Sequence, residues 1–171
     1  MDQADTEEIK IVPIAEDHIE SYHSCLDSVA RERKYLGGVR AFPIETTREF
    51  VRNNIKNGYP QFVAVEGEKV VGWCDILPQR GEGFKHSGTL GMGVLHGYRG
   101  KRIGTRLMQA TMDAAKEIGL ERIELEVYAS NTRAYKMYEK WGFQVEGVKK
   151  QARKLDGKYD DIIMMALFLD Q

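Results

Sequence analysis

A short run of glycines and cations, Arg99 to Thr105, is the segment best suited to bind a ligand. It follows an apolar stretch that ends near Val94 and precedes an amphipathic stretch, so we predict a strand, a turn and a helix. The first backbone N–H groups of a helix have no partner within it, and the helix dipole makes that end positive. Because three cations lie in the same turn, the segment predicts a site for a phosphate or pyrophosphate.

Two common phosphate-binding motifs do not fit this segment. A nucleotide-triphosphate loop requires Gly-Lys followed by Ser or Thr, and here Arg102 follows Gly100-Lys101. The dinucleotide fingerprint G-x-G-x-x-G begins at Gly91 but places His96 at its third glycine. The predicted ligand is therefore a phosphorylated cofactor of another kind.

Two motifs, in this order, resemble the GNAT N-acetyltransferase family. Arg99-Gly100-Lys101-Arg102-Ile103-Gly104 resembles its cofactor loop, in which Arg or Gln is followed three residues later by Gly and five residues later by Gly or Ala. Residues 131–143 resemble its second signature, N-x-x-A-x-x-x-Y-x-x-x-G-F. The resemblance covers residues 60–169 well and is nearest to the phosphinothricin and small-amine acetyltransferase branch. It departs at Arg102, where the family has glycine. We interpret this position as already helical, because an Arg with positive φ would be strained.

The resemblance implies acetyl transfer from acetyl-CoA to an amine. The loop would bind the pyrophosphate, and the strand before it would offer backbone groups to the pantetheine arm and to the developing oxyanion. The cofactor-binding residues implied are Met92, Gly93, Val94, Arg99, Gly100, Lys101, Arg102, Ile103, Gly104, Thr105, Asn131, Ala134 and Tyr138. For Asn131 the alternative interpretation is a helix N-cap, and for Tyr138 it is a core aromatic.

Two side chains are predicted to move protons. Tyr138 is the predicted general acid, because a phenol with a pKa of about 10 can protonate a departing thiolate. Relatives of the phosphinothricin type carry Glu where Thr89 stands, and a threonine cannot serve as a base. We name His86 as the candidate base because of its intrinsic pKa, although a lone His is more often a hydrogen-bonding residue. The alternatives are Asp75, Glu82, Glu124 and Glu126.

The acceptor is expected to contact the least patterned segment, residues 28–42, together with the last hairpin. Residues 31–35 form a mixed-charge cluster, Arg-Glu-Arg-Lys-Tyr. This cluster suits an acidic or zwitterionic acceptor such as an amino acid, and an ordinary polar loop is the alternative.

The elements that must position these residues follow from periodicity and turn signals. Strands are predicted at 9–13, 61–66, 69–77, 84–95, 122–127, 143–154 and 158–169, and helices at 18–30, 46–57, 104–118 and 131–141. Asp17 is the candidate cap of the first helix, and Thr46 or Thr47 that of the second. The order predicts an α/β GNAT fold, with a mixed, mostly antiparallel sheet of about seven strands and about four flanking helices. The resemblance adds a splay between strands 4 and 5.

Composition further limits the kinds of protein that this sequence can encode. With 171 residues, 42% of them hydrophobic, the chain is expected to form a single domain, with residues 1–8 as a flexible tail. A net charge of −1 indicates neither a nucleic-acid nor a membrane partner. No apolar run approaches the roughly 20 residues that span a bilayer. Cys25 and Cys74 are too few for a zinc site, so no metal is expected, and we predict that they are reduced in a cytoplasmic protein.

Three functions remain at this point. The leading one is an N-acetyltransferase for the primary amine of a small molecule, acting by direct attack in a ternary complex. The others are a protein or peptide N-terminal acetyltransferase, and a catalytically weak CoA-binding module, which Thr89 and Arg102 favour. A homodimer is possible through the apolar terminal strand, residues 162–169, unless that strand is central in the sheet.

Overall fold

The computed structural model describes residues 7–169, which contain one seven-stranded sheet with helices on both faces. The strands are β1 (Ile9–Pro13), β2 (Gln61–Glu66), β3 (Lys69–Pro78), β4 (Ser87–Val94), β5 (Arg122–Tyr128), β6 (Gln144–Leu155) and β7 (Lys158–Phe168). The helices are α1 (Ile19–Arg31), α2 (Ile44–Asn57), α3 (Ile103–Glu117) and α4 (Thr132–Trp141). The predicted mixed fold and its order of elements are confirmed. Of the predicted tail, residues 1–6 lie outside the described residues.

The sheet order is β1-β2-β3-β4-β5-β7-β6, and every neighbouring pair is antiparallel except β4 and β5. The apolar terminal strand β7 is therefore central, and β6 forms the sheet edge. None of the helices within residues 7–169 is long and apolar enough to cross a membrane.

Two apolar layers cover the two faces of the sheet. On the α1–α2 face, Ile19, Val29 and Val51 pack against Val63 and Trp73. On the α3–α4 face, buried side chains of these two helices pack together with Phe143 against strand side chains that point to that face. That second layer includes Leu107, Met108, Met112, Tyr138 and Phe143, with Cys74, Ile76, Leu90 and Ile123 from the sheet. Period-2 alternation along the strands thus supplies both cores.

Helix ends follow the glycine signals, whereas two helix starts differ from prediction. α2 and α4 end at Gly58 (φ 66°) and Gly142 (φ 103°), as expected for left-handed C-caps. Asp17 does not cap α1, because a 3₁₀ turn at Glu16–His18 precedes it and His18 occupies the N-cap.

The predicted threonine cap of the second helix is also wrong. α2 begins at Ile44, directly after Pro43, so neither Thr46 nor Thr47 caps it. The fixed φ of proline (−51° at Pro43) favours a helix start at that point, ahead of the threonines. β4 likewise starts later than predicted, at Ser87, because residues 82–84 form a 3₁₀ turn after Gly81.

The central parallel pair separates along its length. β4 and β5 pair only at Ser87–Arg122, Gly88–Ile123 and Thr89–Glu124. Beyond these rungs, β4 continues on β3 and β5 continues on β7. The facing backbone edges of residues 90–94 and 125–128 are therefore unpaired with each other, which confirms the predicted splay.

Candidate active site

The predicted cofactor loop joins the open end of β4 to the first turn of α3. Within residues 7–169, no hydrogen bond uses the backbone N–H groups from Gly100 to Thr105. These donors lie at a helix N-terminus, where the dipole favours an anion. Together with the free backbone edge of residues 90–94, these donors have the chemistry to bind a pyrophosphate followed by an extended amide-containing arm.

Arg102 does not adopt the conformation expected from the sequence. We interpreted its position as helical, and the structure shows a left-handed residue (φ 62°, ψ 15°) at the N-cap of α3. The chain reverses here from loop to helix, which a glycine would do without penalty. A non-glycine residue in this region costs about 1–2 kcal/mol. The exposed Arg102 side chain adds a cation beside the free N–H groups.

Arg133 contributes a cation that the sequence analysis did not single out. It lies in the first turn of α4, and a Cβ built on Gly100 would lie 2.8 Å from its Nη2 atom. Gly100 also has a positive φ of 80°, so it allows both the turn and the close approach of the guanidinium. The only available signal was that Arg133 occupies an unspecified position of the second motif.

The Arg99 side chain is committed to the protein itself. Its Nε donates to the carbonyl of Val94 (2.9 Å), and its Nη1 and Nη2 donate to the two carboxylate oxygens of Glu32 (2.8 and 2.5 Å). The guanidinium also lies 4.5 Å from the centre of the Tyr35 ring. The guanidinium holds the pKa of Glu32 below its usual value. The Arg99 side chain therefore ties the predicted cofactor loop to the end of α1.

Asn131 caps α4, as the alternative interpretation held. Its Oδ1 accepts a hydrogen bond from the backbone N–H of Ala134 (3.3 Å). The side-chain NH₂ group takes no part in this bond and forms no other in the described part of the chain. The cap and a contact to the cofactor arm are thus compatible.

Tyr138 is a core aromatic, and its hydroxyl has no hydrogen-bond partner among the described residues. It is 7% exposed, and its ring packs 5.7 Å from that of Phe143. Burial, and to a lesser extent the neighbouring Cys74 thiol, raises the pKa of Tyr138 above that of a free phenol. Since Cys74 pairs with Met92 across β3 and β4, this phenol lies under the splayed part of β4.

His86 lies at the opposite, closed end of β4. Its carbonyl accepts hydrogen bonds from the N–H groups of Glu121 and Arg122 (2.8 and 3.1 Å), and its side chain is exposed. Residues 86 and 92 are separated by about 20 Å of extended chain. The structure therefore does not bring His86 to Tyr138 or to the cofactor loop.

Most of the other candidate bases have partners. Glu82 pairs with Lys85, Glu126 with Lys149, and Glu124 with Gln79 and Arg122. Asp75 differs from them because it is buried and forms no hydrogen bond or ion pair with any described residue.

The predicted acceptor segment and the last hairpin meet at a cleft of about 690 Å³. Arg33 donates to both carboxylate oxygens of Asp156 in the β6–β7 turn (2.9 and 2.7 Å). Arg153 donates to the carbonyl of Arg33 (3.0 Å) and lies 4.5 Å over the Tyr128 ring. The mixed-charge cluster thus organises the cleft by pairing with remote segments. Further lining residues are Lys34, Tyr35, Asn131, Arg133, Lys158 and Tyr159.

Comparison with known proteins agrees with this geometry. The acetyltransferase (GNAT) family model matches residues 14–143. The L-amino acid N-acetyltransferase AaaT of Escherichia coli K12 is 31% identical over 110 residues, covering 64% of this chain and 68% of that protein. An L-methionine sulfoximine/L-methionine sulfone acetyltransferase of Pseudomonas aeruginosa is 28% identical over 117 residues, covering 67% and 68%.

A solved structure shows the same fold. The GNAT superfamily phosphinothricin acetyltransferase of Sinorhizobium meliloti, in complex with acetyl-CoA, superposes with a TM-score of 0.87 at 15% identity. The superposition covers 94% of this chain and 88% of that one.

Proposed function

The chain belongs to the GNAT acetyltransferase family, and from this premise we propose that it acetylates the primary amine of a free amino acid or a close analogue. It is an N-acetyltransferase, and its cofactor is acetyl-CoA. The observation that carries the proposal is the splay of β4 and β5, next to the loop that leads from β4 into α3. The acceptor class is supported by two relatives that are named for amino-acid and methionine-analogue substrates.

The chain's own groups suit a direct transfer. Acetyl-CoA, when bound, supplies the acetyl group as a thioester. The N–H groups from Gly100 to Thr105 bind its pyrophosphate, with Arg102 and Arg133 adding charge. An unpaired N–H of residues 90–94 donates to the thioester oxygen as negative charge develops there.

Tyr138 supplies the last proton in this proposal. A buried phenol with a raised pKa stays protonated at neutral pH but is a weaker acid than a free one, so we propose that its proton passes to the departing sulfur together with transfer of a nitrogen proton to its oxygen. The free cysteines Cys25 and Cys74 are both buried, and we propose a cytoplasmic location, where thiols remain reduced. For a homodimer, we expect the β6 edge to pair, because β7 is hydrogen-bonded on both sides.

The test is acetyl-CoA turnover, measured as free thiol, with a panel of L-amino acids, polyamines, aminoglycosides and short peptides. Thiol release with free amino acids is the expected result. Release with peptides alone would contradict the small-molecule acceptor. Binding of acetyl-CoA without release across the panel would favour the CoA-binding module instead.

A further inference from the structure

Asp75 is a buried carboxylate for which the fold offers no partner. It is 7% exposed on β3, and no hydrogen bond or ion pair reaches it from residues 7–169. Burial of a carboxylate without compensation is unfavourable, so such a group in a folded protein needs an explanation.

Asp75 lies in the middle of a row that crosses three strands. It pairs with Gln61 on β2 and with Gly91 on β4. On the β2 side the row is covered by α2, since the Gln61 Oε1 accepts a hydrogen bond from Asn54 (2.9 Å). On the β4 side the row ends at a glycine, and a Cβ built on Gly91 would lie 3.4 Å from Asp75 Oδ1.

The absence of a side chain at Gly91 leaves the carboxylate next to the splay. Gly91 lies on β4 beyond Thr89, the last rung that joins β4 to β5. Thr89, Gly91 and Gly93 share the α1–α2 face of β4, and Gly93 lies directly under the Trp73 ring. A ligand that enters the gap between β4 and β5 from this face therefore contacts the backbone of Gly91 and Gly93. The Asp75 carboxylate lies next to that contact.

A second open cleft lies near this point. It has a volume of about 510 Å³, and its walls include Leu77, Phe84 and Thr89. Leu77 and Thr89 form the rung next to Asp75–Gly91 on the same face, about 7 Å away. Asp75 therefore lies one same-face rung from the wall of this cleft.

Tyr138 and Asp75 would then lie on opposite faces of the sheet at adjacent rungs of β4, beside the gap between β4 and β5. Tyr138 lies on the α3–α4 face beside Cys74, which pairs with Met92. Asp75 lies on the α1–α2 face at the adjacent rung, with Gly91. An acid and a base on opposite sides of the same gap can serve the leaving sulfur and the attacking nitrogen separately.

Resting on the proposed function, we propose that Asp75 binds the ammonium group of the acceptor and takes one of its protons. The freed nitrogen lone pair then forms the bond to the acetyl carbon. As the carbon–sulfur bond breaks, the sulfur takes the Tyr138 proton, and a second proton passes from nitrogen to the Tyr138 oxygen. Asp75 finally releases its proton to water, so that the products are an N-acetyl amine, CoA thiol and one proton.

The electrostatic surroundings of Asp75 suit this role. Burial raises its pKa to about 7, so the carboxylate can gain and lose a proton near neutral pH. Burial raises the pKa values of Tyr22 of α1 and of the adjacent Cys74, and the charge of Asp75 adds to both increases. Both are therefore neutral at pH 7, and no described cation faces the carboxylate.

The experiment compares wild-type protein with Asp75→Asn over pH 6 to 10, using the best amino acid of the panel. In the wild type, kcat/KM should rise to about pH 7 and then level off. In Asp75→Asn, it should be about 10²- to 10⁴-fold lower at pH 7.5, as for loss of a general base. It should then increase with pH up to the pKa of the amine itself. Asp113→Asn, an exposed carboxylate on α3, is the charge-matched control and should retain the wild-type profile.

Two further measurements separate the possible failures. The melting temperature of Asp75→Asn at pH 8 should equal or exceed that of the wild type, because the variant removes an unpaired buried charge. Calorimetric binding of the amino acid to the CoA complex should weaken at least 10-fold in Asp75→Asn. Turnover and amine binding that both survive in this folded variant would overturn the role of Asp75 and leave the proposed function intact. A wild type that binds amines through Asp75 but transfers no acetyl would overturn the proposed function alone.

Discussion

The proposed cofactor region and the proposed acceptor region of this protein are built from different kinds of contact. The cofactor region, residues 90–105 and 131–143, presents backbone N–H groups from a splayed strand and a helix start. The acceptor region, residues 28–42 and the β6–β7 hairpin, is held by side chains from distant parts of the chain. Arg33 and Asp156 are 123 residues apart in sequence, and Glu32 and Arg99 are 67 apart.

This difference determines which changes each region can tolerate. Backbone donors keep their positions when side chains change, provided that the turn can still form. Ion pairs at a surface contribute little to stability, so the acceptor region can be altered without unfolding the sheet. We therefore expect the proposed cofactor site to be fixed and the proposed acceptor site to be adjustable.

Tyr138→Phe should give the largest effect, because it removes a proton donor without touching the backbone site. We expect kcat to fall about 10²- to 10⁴-fold, as for loss of a general acid, while the Kd for acetyl-CoA stays the same. The hydroxyl forms no hydrogen bond within the described residues, so the melting temperature should not fall. Steady-state kinetics and calorimetry measure the two quantities.

The matched control for this change is Tyr135→Phe, on the same helix and half-buried. It should keep the wild-type kcat. A Tyr138→Phe enzyme with unchanged kcat would show that the phenol is only part of the core.

Gly100→Ala should weaken cofactor binding, and Gly97→Ala should not. Both glycines have positive φ (80° and 92°), so each substitution should lower the free energy of unfolding by about 1 kcal/mol. Only at Gly100 would the new Cβ meet the Arg133 guanidinium, whereas nothing lies within 4 Å at Gly97. Displacement of that cation should raise the Kd for acetyl-CoA about 10-fold, or 1.4 kcal/mol.

Calorimetry on the two alanine variants is the measurement, with urea unfolding as the check on backbone strain. Equal losses of affinity in both variants would mean that loop strain, rather than Arg133, controls binding. The cofactor region would then depend on backbone geometry alone.

Much of the fold could be predicted from local patterns. Alternation and turn signals located the strands, and Gly58 and Gly142 marked helix ends. The hairpin at Asp156-Gly157 has φ values of 52° and 75°, as a two-residue turn with positive φ at both positions requires. Each of these features depends on residues adjacent in sequence.

The features that sequence analysis predicted wrongly or did not find share a physical cause. Each depends on the structure that surrounds it rather than on neighbouring residues in the sequence. Residues with good capping side chains did not cap α1 or α2, because a 3₁₀ turn and Pro43 set those starts. The left-handed Arg102 and the approach of Arg133 to Gly100 depend on how α3 and α4 pack. The pairing of Glu32 with Arg99 joins segments that no local pattern relates. The acceptor region was therefore the part least accessible to sequence analysis.

Arg102→Gly should stabilise the protein, since glycine adopts the left-handed conformation without strain. We expect a gain of about 1 kcal/mol in the free energy of unfolding and a rise of about 2–4 °C in melting temperature for a chain of this size. Arg102→Ala keeps the strained backbone and should show no gain. Both variants lose the cation, so both should bind acetyl-CoA equally more weakly than the wild type. A stabilised Arg102→Ala would contradict the assignment of the strain to the backbone.

Glu32→Gln should have the smallest effect, and it tests whether the two regions are coupled. The Arg99 guanidinium lowers the pKa of Glu32 from its ordinary 4.5, so the pair stabilises the fold fully above that value. This contribution is lost as the pH falls through the lower, folded-state pKa. The variant should be less stable than the wild type by up to about 1 kcal/mol at pH 7. The difference should shrink as the pH falls below 4.5.

Urea unfolding at pH 7, 5, 4 and 3 measures this convergence. Glu49→Gln is the control, because Glu49 is exposed on α2 and forms no ion pair among the described residues.

Glu32 also fixes the end of α1 against the cofactor loop, so the variant should raise KM for the acceptor several-fold and leave the Kd for acetyl-CoA unchanged. If the Kd rises together with KM, the pair shapes the cofactor loop as well. The division between a fixed cofactor site and an adjustable acceptor site would then fail at Arg99, the residue shared by both.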